Sequence, residues 1–182
     1  MKKLPRIITQ PEFEELFAAT IRIERKLKSF TYKMRVKKYR LALLLGFEAG
    51  MRISEIVGYK DKVPALTKDR VDTASIKILS GKGGKDRIVP KPRRMNQAAI
   101  NLLPLDIQRR SLQDFVTKLS KSVLKKKISF HTLRHGFITH LVNRGLPLHE
   151  VQMLAGHSRL DTTGIYLHAN PEKALRSAQE AF

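Results

Sequence analysis

Cysteine is absent from all 182 residues, which excludes disulfides, thiolate chemistry and cysteine-based zinc sites. No run of about 18 apolar residues occurs, so the sequence offers no membrane-spanning helix. The amino terminus, Met1-Lys2-Lys3-Leu4-Pro5, lacks the apolar core of a secretion signal. Internal repeats and low-complexity tracts are also missing. Acidic residues are scarce, with 16 Asp and Glu against 36 Lys and Arg, a formal charge of +20. The surface potential is therefore strongly positive and polyanions are the expected partners. These features predict a soluble cytoplasmic protein with no membrane partner. At 42% hydrophobic, the chain has the composition and length of one well-packed domain.

The periodicity predicts mainly helix. Phe13, Leu16, Phe17 and Ile21 recur at helical spacing behind Pro11, with Glu12, Glu14 and Glu15 near the positive end, which gives a helix over about 10–28. Residues 22–40 carry nine basic residues and one acid. The apolar run Leu41 to Phe47 follows, and a second helix is expected over about 36–49, stopped by Gly50. A short helix begins near Arg52. Between Leu66 and Pro90 the pattern changes to Val71, Ile76, Ile78, Ile88 and Val89 around Ser80-Gly81-Lys82-Gly83-Gly84-Lys85, which reads as two short strands joined by a glycine-rich turn. Further helices are expected at about 95–103, 111–126, 131–143, 147–155, 161–167 and 171–181. The fold class is mainly α with a small antiparallel β-sheet (α+β).

Three segments carry the chemistry: Gly50-Met51-Arg52-Ile53-Ser54-Glu55, then His131-Thr132-Leu133-Arg134-His135, then Gly156-His157-Ser158-Arg159-Leu160-Asp161-Thr162-Thr163-Gly164-Ile165-Tyr166. In order and spacing they resemble the catalytic boxes of the tyrosine recombinases, the Xer and phage-integrase type of DNA strand-exchange enzyme. The resemblance covers residues 8–180 and implies a tyrosine recombinase catalytic-domain fold, with 1–182 as a single catalytic domain. Members usually carry an additional N-terminal core-binding domain; because the resemblance starts almost at the first residue, that domain is expected to be absent here, in either a fragment or a compact variant. The interval between Lys82 and His131 also looks shorter than usual.

The resemblance assigns the catalytic set to Arg52, Lys82, His131, Arg134, His157 and Tyr166, and each residue type suits its task. A phosphodiester under attack gathers negative charge on its nonbridging oxygens, and the guanidiniums of Arg52 and Arg134 offer forked, permanently charged donors to it. The Tyr166 hydroxyl is the candidate nucleophile, storing the bond as a phosphotyrosine ester. Its ordinary pKa near 10 calls for an acceptor, and His131 or His157 can serve. Lys82 is the candidate acid for the leaving 5′ oxygen, with Lys85 as its rival. By resemblance, Glu55 braces the neighbouring arginine or backbone.

His131 and His135 stand one helical turn apart, but no metalloprotease Glu lies between them and no cysteine completes a site, so no metal is expected. Gly81-Lys82-Gly83-Gly84-Lys85 lacks the Walker spacing and its terminal Ser or Thr, and no cofactor is expected. His140, His149 and His168 read as surface or packing residues. Basic clusters are often only solvated faces. Beside these boxes, Lys85, Arg87, Lys91, Arg93, Arg94, Lys125, Lys126 and Lys127 are instead expected to meet DNA phosphates. The segment from Asn170 to Phe182 reads as a helix folded on its own core or docked on a neighbouring protomer. The expected activity is site-specific DNA recombination on double-stranded DNA by a tetramer, through a 3′-phosphotyrosine, without metal or ATP. The alternatives are a topoisomerase-like nicking and closing activity, and a non-catalytic DNA-binding accessory protein of the same fold.

Overall fold

A computed structural model of the chain describes residues 7–60, 62–79 and 86–156. The elements among them are α1 (Gln10–Lys26), α2 (Phe30–Glu48), α3 (Ile53–Val57), β1 (Ser75–Ile78), β2 (Arg87–Pro90), α4 (Gln97–Ile100), α5 (Arg109–Leu124), α6 (Phe130–Asn143) and α7 (Leu148–Ala155). The mainly helical class with one two-stranded antiparallel sheet is thus borne out. The helices expected at 161–167 and 171–181 lie outside the described residues.

Local chemistry sets where α1 begins. Thr9 accepts from the Glu12 N–H at 3.4 Å and the Glu12 carboxylate accepts from the Thr9 N–H at 2.9 Å, a reciprocal cap that satisfies two otherwise orphaned donors. Phe13, Leu16, Ala19 and Thr20 then form the buried face, and Phe13 stacks on Phe47 of α2 with ring centroids 4.1 Å apart. Every residue from Leu41 to Phe47 is buried, so the second half of α2 is the central rod of the domain, packed between α1 and α6. This helix starts at Phe30, six residues earlier than the apolar pattern suggested. The reason is that its first turns lie past the edge of the core, with Phe30, Tyr32 and Arg35 exposed, and so carry no amphipathic signature. In contrast, α4 is only four residues long, begun by the Asn96 side chain accepting from the Ala99 N–H.

In the sheet, Ile76 lies opposite Val89 and Ile78 opposite Arg87, while Lys77 faces Ile88. Strand alternation therefore turns Ile76, Ile78, Arg87 and Val89 to one face and leaves Ile88 outside. After α5 the chain doubles back along the same helix. Ser120 Oγ accepts from the Ile128 N–H at 3.2 Å, Thr117 Oγ1 donates to the Ile128 carbonyl at 3.3 Å, and Gln113 Oε1 accepts from the Phe130 N–H at 3.0 Å. Three side chains thus lead the connection back up α5 and set down the start of α6, with His131, near the first turn of α5. No helix among the described residues is long and apolar enough to cross a membrane.

Candidate active site

The site is built where helices end. Beyond α2, Gly50 turns the chain at φ +62°, and a Cβ there would fall 2.3 Å from the Phe137 ring, so both conformation and space require glycine. The turn directs the Gly50 carbonyl at α6, where Arg134 Nη1 donates to it at 2.5 Å. Arg134 Nη2 donates to the Ala155 carbonyl at the end of α7. Arg134 is 1% exposed and is the largest fully buried side chain described.

Arg52 sits two residues after Gly50, at the cap of α3. Its backbone N–H donates to Glu55 Oε2 at 2.7 Å, its Nη1 to Glu55 Oε1 at 2.8 Å, and its Nη2 to the Gly156 carbonyl at 3.2 Å. Glu55 also receives both Nη groups of Arg87, at 2.8 and 2.7 Å. Burial alone would raise the Glu55 pKa, but the bonds and charge of Arg87, then of Arg52, outweigh it and hold the carboxyl at about 2. Glu55 is therefore an anion at neutral pH, 3% exposed between two guanidiniums.

Three consecutive carbonyls end α7, and each takes a different arginine. Arg87 Nε donates to Leu154, Arg134 Nη2 to Ala155 and Arg52 Nη2 to Gly156. These are acceptors that a helix leaves without intrahelical partners, at the negative end of its dipole. Gly156 adopts φ +61° and passes so close to Arg87 that a Cβ would lie 2.8 Å from its Cδ. The helix end that precedes His157 in the chain is thus gripped from α3, β2 and α6.

Arg52, His131 and Arg134 line one cleft of about 640 Å³, together with Ser54, Gln113, Arg109 and Arg110. The two last arginines were not foreseen. A signal did exist: they occupy the first turn of α5, where the helix dipole disfavours cations, so local helix stability does not account for them. Arg109 also stands over the Tyr59 ring at 5.2 Å. His131 and His135 touch edge to face with centroids 4.4 Å apart, and no group of three or more His, Asp or Glu able to hold a metal occurs among the described residues. Partial desolvation and the charges of Arg134 and Arg52 lower the His131 pKa, which favours the neutral imidazole. Desolvation, then His131 and Arg134, lower that of His135 to about 4.

Of the six predicted catalytic residues, Arg52, His131 and Arg134 are brought together across 82 positions of sequence. Lys82, His157, Tyr166 and the rival acid Lys85 lie outside the described residues. The basic residues expected at DNA separate into groups. Arg87 is turned inward by strand alternation and its side chain is 7% exposed, committed to Glu55 and Leu154. Arg93 and Arg94 line a different cleft, and Arg94 forks between Glu14 and Glu48 with its guanidinium 4.3 Å from the Phe17 ring centroid. Lys91 is half-buried beside them in the chain. Lys125, Lys126 and Lys127 follow the far end of α5, roughly 24 Å along the helix axis from Arg109. Lys126 pairs with Glu12, and Lys125 donates to the Ser122 carbonyl.

The profile described as the phage integrase family matches residues 104–173. Tyrosine recombinase XerA of Thermococcus kodakarensis is 34% identical over 163 residues, which cover 79% of this chain and 55% of XerA. Tyrosine recombinase XerD of Pseudomonas aeruginosa is 34% identical over 191 residues, covering 92% of this chain and 58% of XerD. The solved structure of the XerH site-specific recombinase bound to palindromic difH substrate, a post-cleavage complex, superposes with a TM-score of 0.69 at 22% identity. That superposition covers 97% of this chain and 53% of XerH, and establishes a shared fold. The chain spans little more than half the length of the curated relatives it matches. Over the region that it shares with them, the chain belongs to the phage integrase family of tyrosine recombinases.

Proposed function

We propose that the chain cleaves and rejoins double-stranded DNA as the catalytic part of a site-specific recombinase. The observation that carries this reading is the convergence of Arg52, Arg134 and His131 on one cleft, with Arg109 and Arg110 on its wall. A scissile phosphate seated there meets two guanidiniums already oriented by protein carbonyls and Glu55, which favours the extra charge of the transition state over the ground state. In the proposed cycle the Tyr166 oxygen attacks phosphorus, the 5′ oxygen departs with a proton from Lys82, and a 3′-phosphotyrosine forms. His131 and His157 assist proton transfer and orient the phosphate. The 5′ hydroxyl of a partner strand then attacks that ester and releases Tyr166.

One phosphoester is exchanged for another in each step, so the cycle needs no ATP. The guanidiniums take the charge-stabilising task that a metal performs in other phosphoryl transfers. Strand exchange between two duplexes is proposed to occur in a tetramer on DNA, within the nucleoid. A charge of +20 suits a polyanionic partner. If roughly 6 to 10 phosphates are contacted, affinity falls by about 10³ to 10⁵ between 50 and 200 mM salt.

The test is incubation with end-labelled and supercoiled DNA in EDTA, followed by denaturing gels, comparing the parent chain with Tyr166→Phe. A covalent adduct that disappears in the variant supports the tyrosine mechanism. Relaxation without exchanged strands would point to nicking and closing instead. Tight binding without adduct on DNA from the same replicon would count against catalysis by this chain.

A further inference from the structure

We infer that Arg87 is a positioning residue that sets the orientation of Arg52 through the Glu55 carboxylate. The inference rests on the reading of Arg52 as a phosphate ligand. Arg87 itself is turned inward: its side chain is 7% exposed, and Nε, Nη1 and Nη2 are all engaged, by Leu154, Glu55 Oε1 and Glu55 Oε2. Each Glu55 oxygen is also shared with Arg52. Oε1 accepts from Arg87 Nη1 and Arg52 Nη1, both at 2.8 Å, and Oε2 from Arg87 Nη2 and the Arg52 backbone N–H, both at 2.7 Å. The fork of Arg87 fixes the carboxylate plane, and Arg52 takes its position from that plane through main chain and side chain alike.

Stability alone is a weak reason for such a pair, because a buried ion pair often gains little over apolar packing of equal volume. Bidentate geometry supplies orientation instead. The terminal torsion of a free Glu is broad, so without Arg87 the carboxylate can swing onto Arg52 and draw the guanidinium out of line with the cleft. The bond from Arg87 Nε to Leu154 extends the same brace to α7, whose next two carbonyls hold Arg134 and Arg52. Gly156 leaves the room for it, since a Cβ there would press on the Arg87 stem.

The experiment compares the full chain with Arg87→Met, Arg87→Lys, Glu55→Gln, Glu55→Gln/Arg87→Met and Glu55→Gln/Arg87→Lys. It measures DNA affinity, single-turnover adduct formation at saturating DNA, and the Arg52 Nε–H resonance by NMR. The expected result for Arg87→Met is an unchanged affinity and a rate lower by about 10²-fold, the scale of a misplacement near 1 Å. Arg87→Lys keeps the charge without the fork and recovers part of the rate. The double variant is no slower than Arg87→Met, because both changes break one linkage. A parent-like rate in Arg87→Met, or a loss confined to affinity, overturns the inference. If Arg87→Met does not fold, Arg87→Lys decides: a full parent rate overturns it, and a reduced rate that Glu55→Gln does not lower further supports it. If the parent chain forms no adduct, the proposed function fails and the resonance decides. An Arg52 signal altered in Arg87→Met while that of Arg94 is unmoved supports the linkage, and an unaltered one refutes it.

Discussion

Replacing Arg134 by alanine attacks fold and chemistry through one side chain, and the two losses can be measured apart. The guanidinium is 1% exposed and donates to two carbonyls, those of Gly50 and Ala155, which join the end of α2 to the end of α7. A buried acceptor left without its donor costs about 1–3 kcal/mol, so the loss of both places Arg134→Ala roughly 2–6 kcal/mol below the parent unless water enters the space. At roughly 2–4 °C per kcal/mol for a chain of this size, the melting temperature falls by about 4–24 °C. In the proposed reaction, removing one donor to the transition-state oxyanion costs about 10²–10³ in rate. Arg134→Lys retains a charge but cannot span both carbonyls, so it is expected to be intermediate in stability and still deficient in cleavage. Thermal and urea denaturation give the first quantity, and adduct formation at a temperature where every variant is folded gives the second. DNA affinity should stay within about tenfold, because one phosphate contact among many is lost. A stability loss below about 0.5 kcal/mol, the range of ordinary surface substitutions, would refute the structural part. Cleavage at the parent rate would remove Arg134 from the chemistry.

Gly50→Ala places a Cβ at positive φ against the Phe137 ring and is expected to destabilise by about 2–4 kcal/mol, combining left-handed strain with overpacking; adding Phe137→Leu should return part of this in a double-mutant cycle, and full additivity would show that the ring is not the obstacle. Arg109→Ala/Arg110→Ala removes two cations from the cleft wall, so the slope of log affinity against log salt should become shallower by about 1.8 if both contact phosphates; an unchanged slope would place them off the DNA. His135, held at about 4 in the fold, is neutral when native while its unfolded form gains a proton below about 6.5. Stability should therefore fall as pH drops from about 6.5 to 4, and His135→Gln should flatten that limb in urea titrations at successive pH values; an equally steep limb in the variant would assign it elsewhere.

The helices were readable where one face is apolar. Phe13, Leu16, Leu112, Val116 and Leu119 repeat at helical spacing because those faces meet the core. The first turns of α2 were not, because Phe30, Tyr32 and Arg35 are exposed past the core and leave no periodic trace. Arg87 illustrates a subtler failure. Its place in a basic cluster suggested a DNA face, yet Arg87-Ile88-Val89 reads as in, out, in once the buried Val89 fixes the register, and the exposed residue is Ile88. The arginines proposed for catalysis were visible through motif spacing, but their partners were not: Gly50 and Arg134 are 84 residues apart, and a carbonyl leaves no mark in a sequence.

Three guanidiniums close together should repel, and what offsets that repulsion also explains the field of the site. Glu55 supplies one negative charge between Arg52 and Arg87, and the carboxyl end of α7 supplies about half a charge more. The cluster therefore retains a positive charge of about 1.5, in surroundings that shield Glu55, Arg87 and Arg134 from water. A bare helix end satisfied by water would stabilise α7 as well but would leave no such field. Using arginines as the partners of Leu154, Ala155 and Gly156 lets the same bonds finish the helix and hold two of the guanidiniums toward the cleft. The cost of orienting them is met during folding, before any phosphate arrives, which is the condition under which a charged donor lowers a barrier rather than only tightening binding.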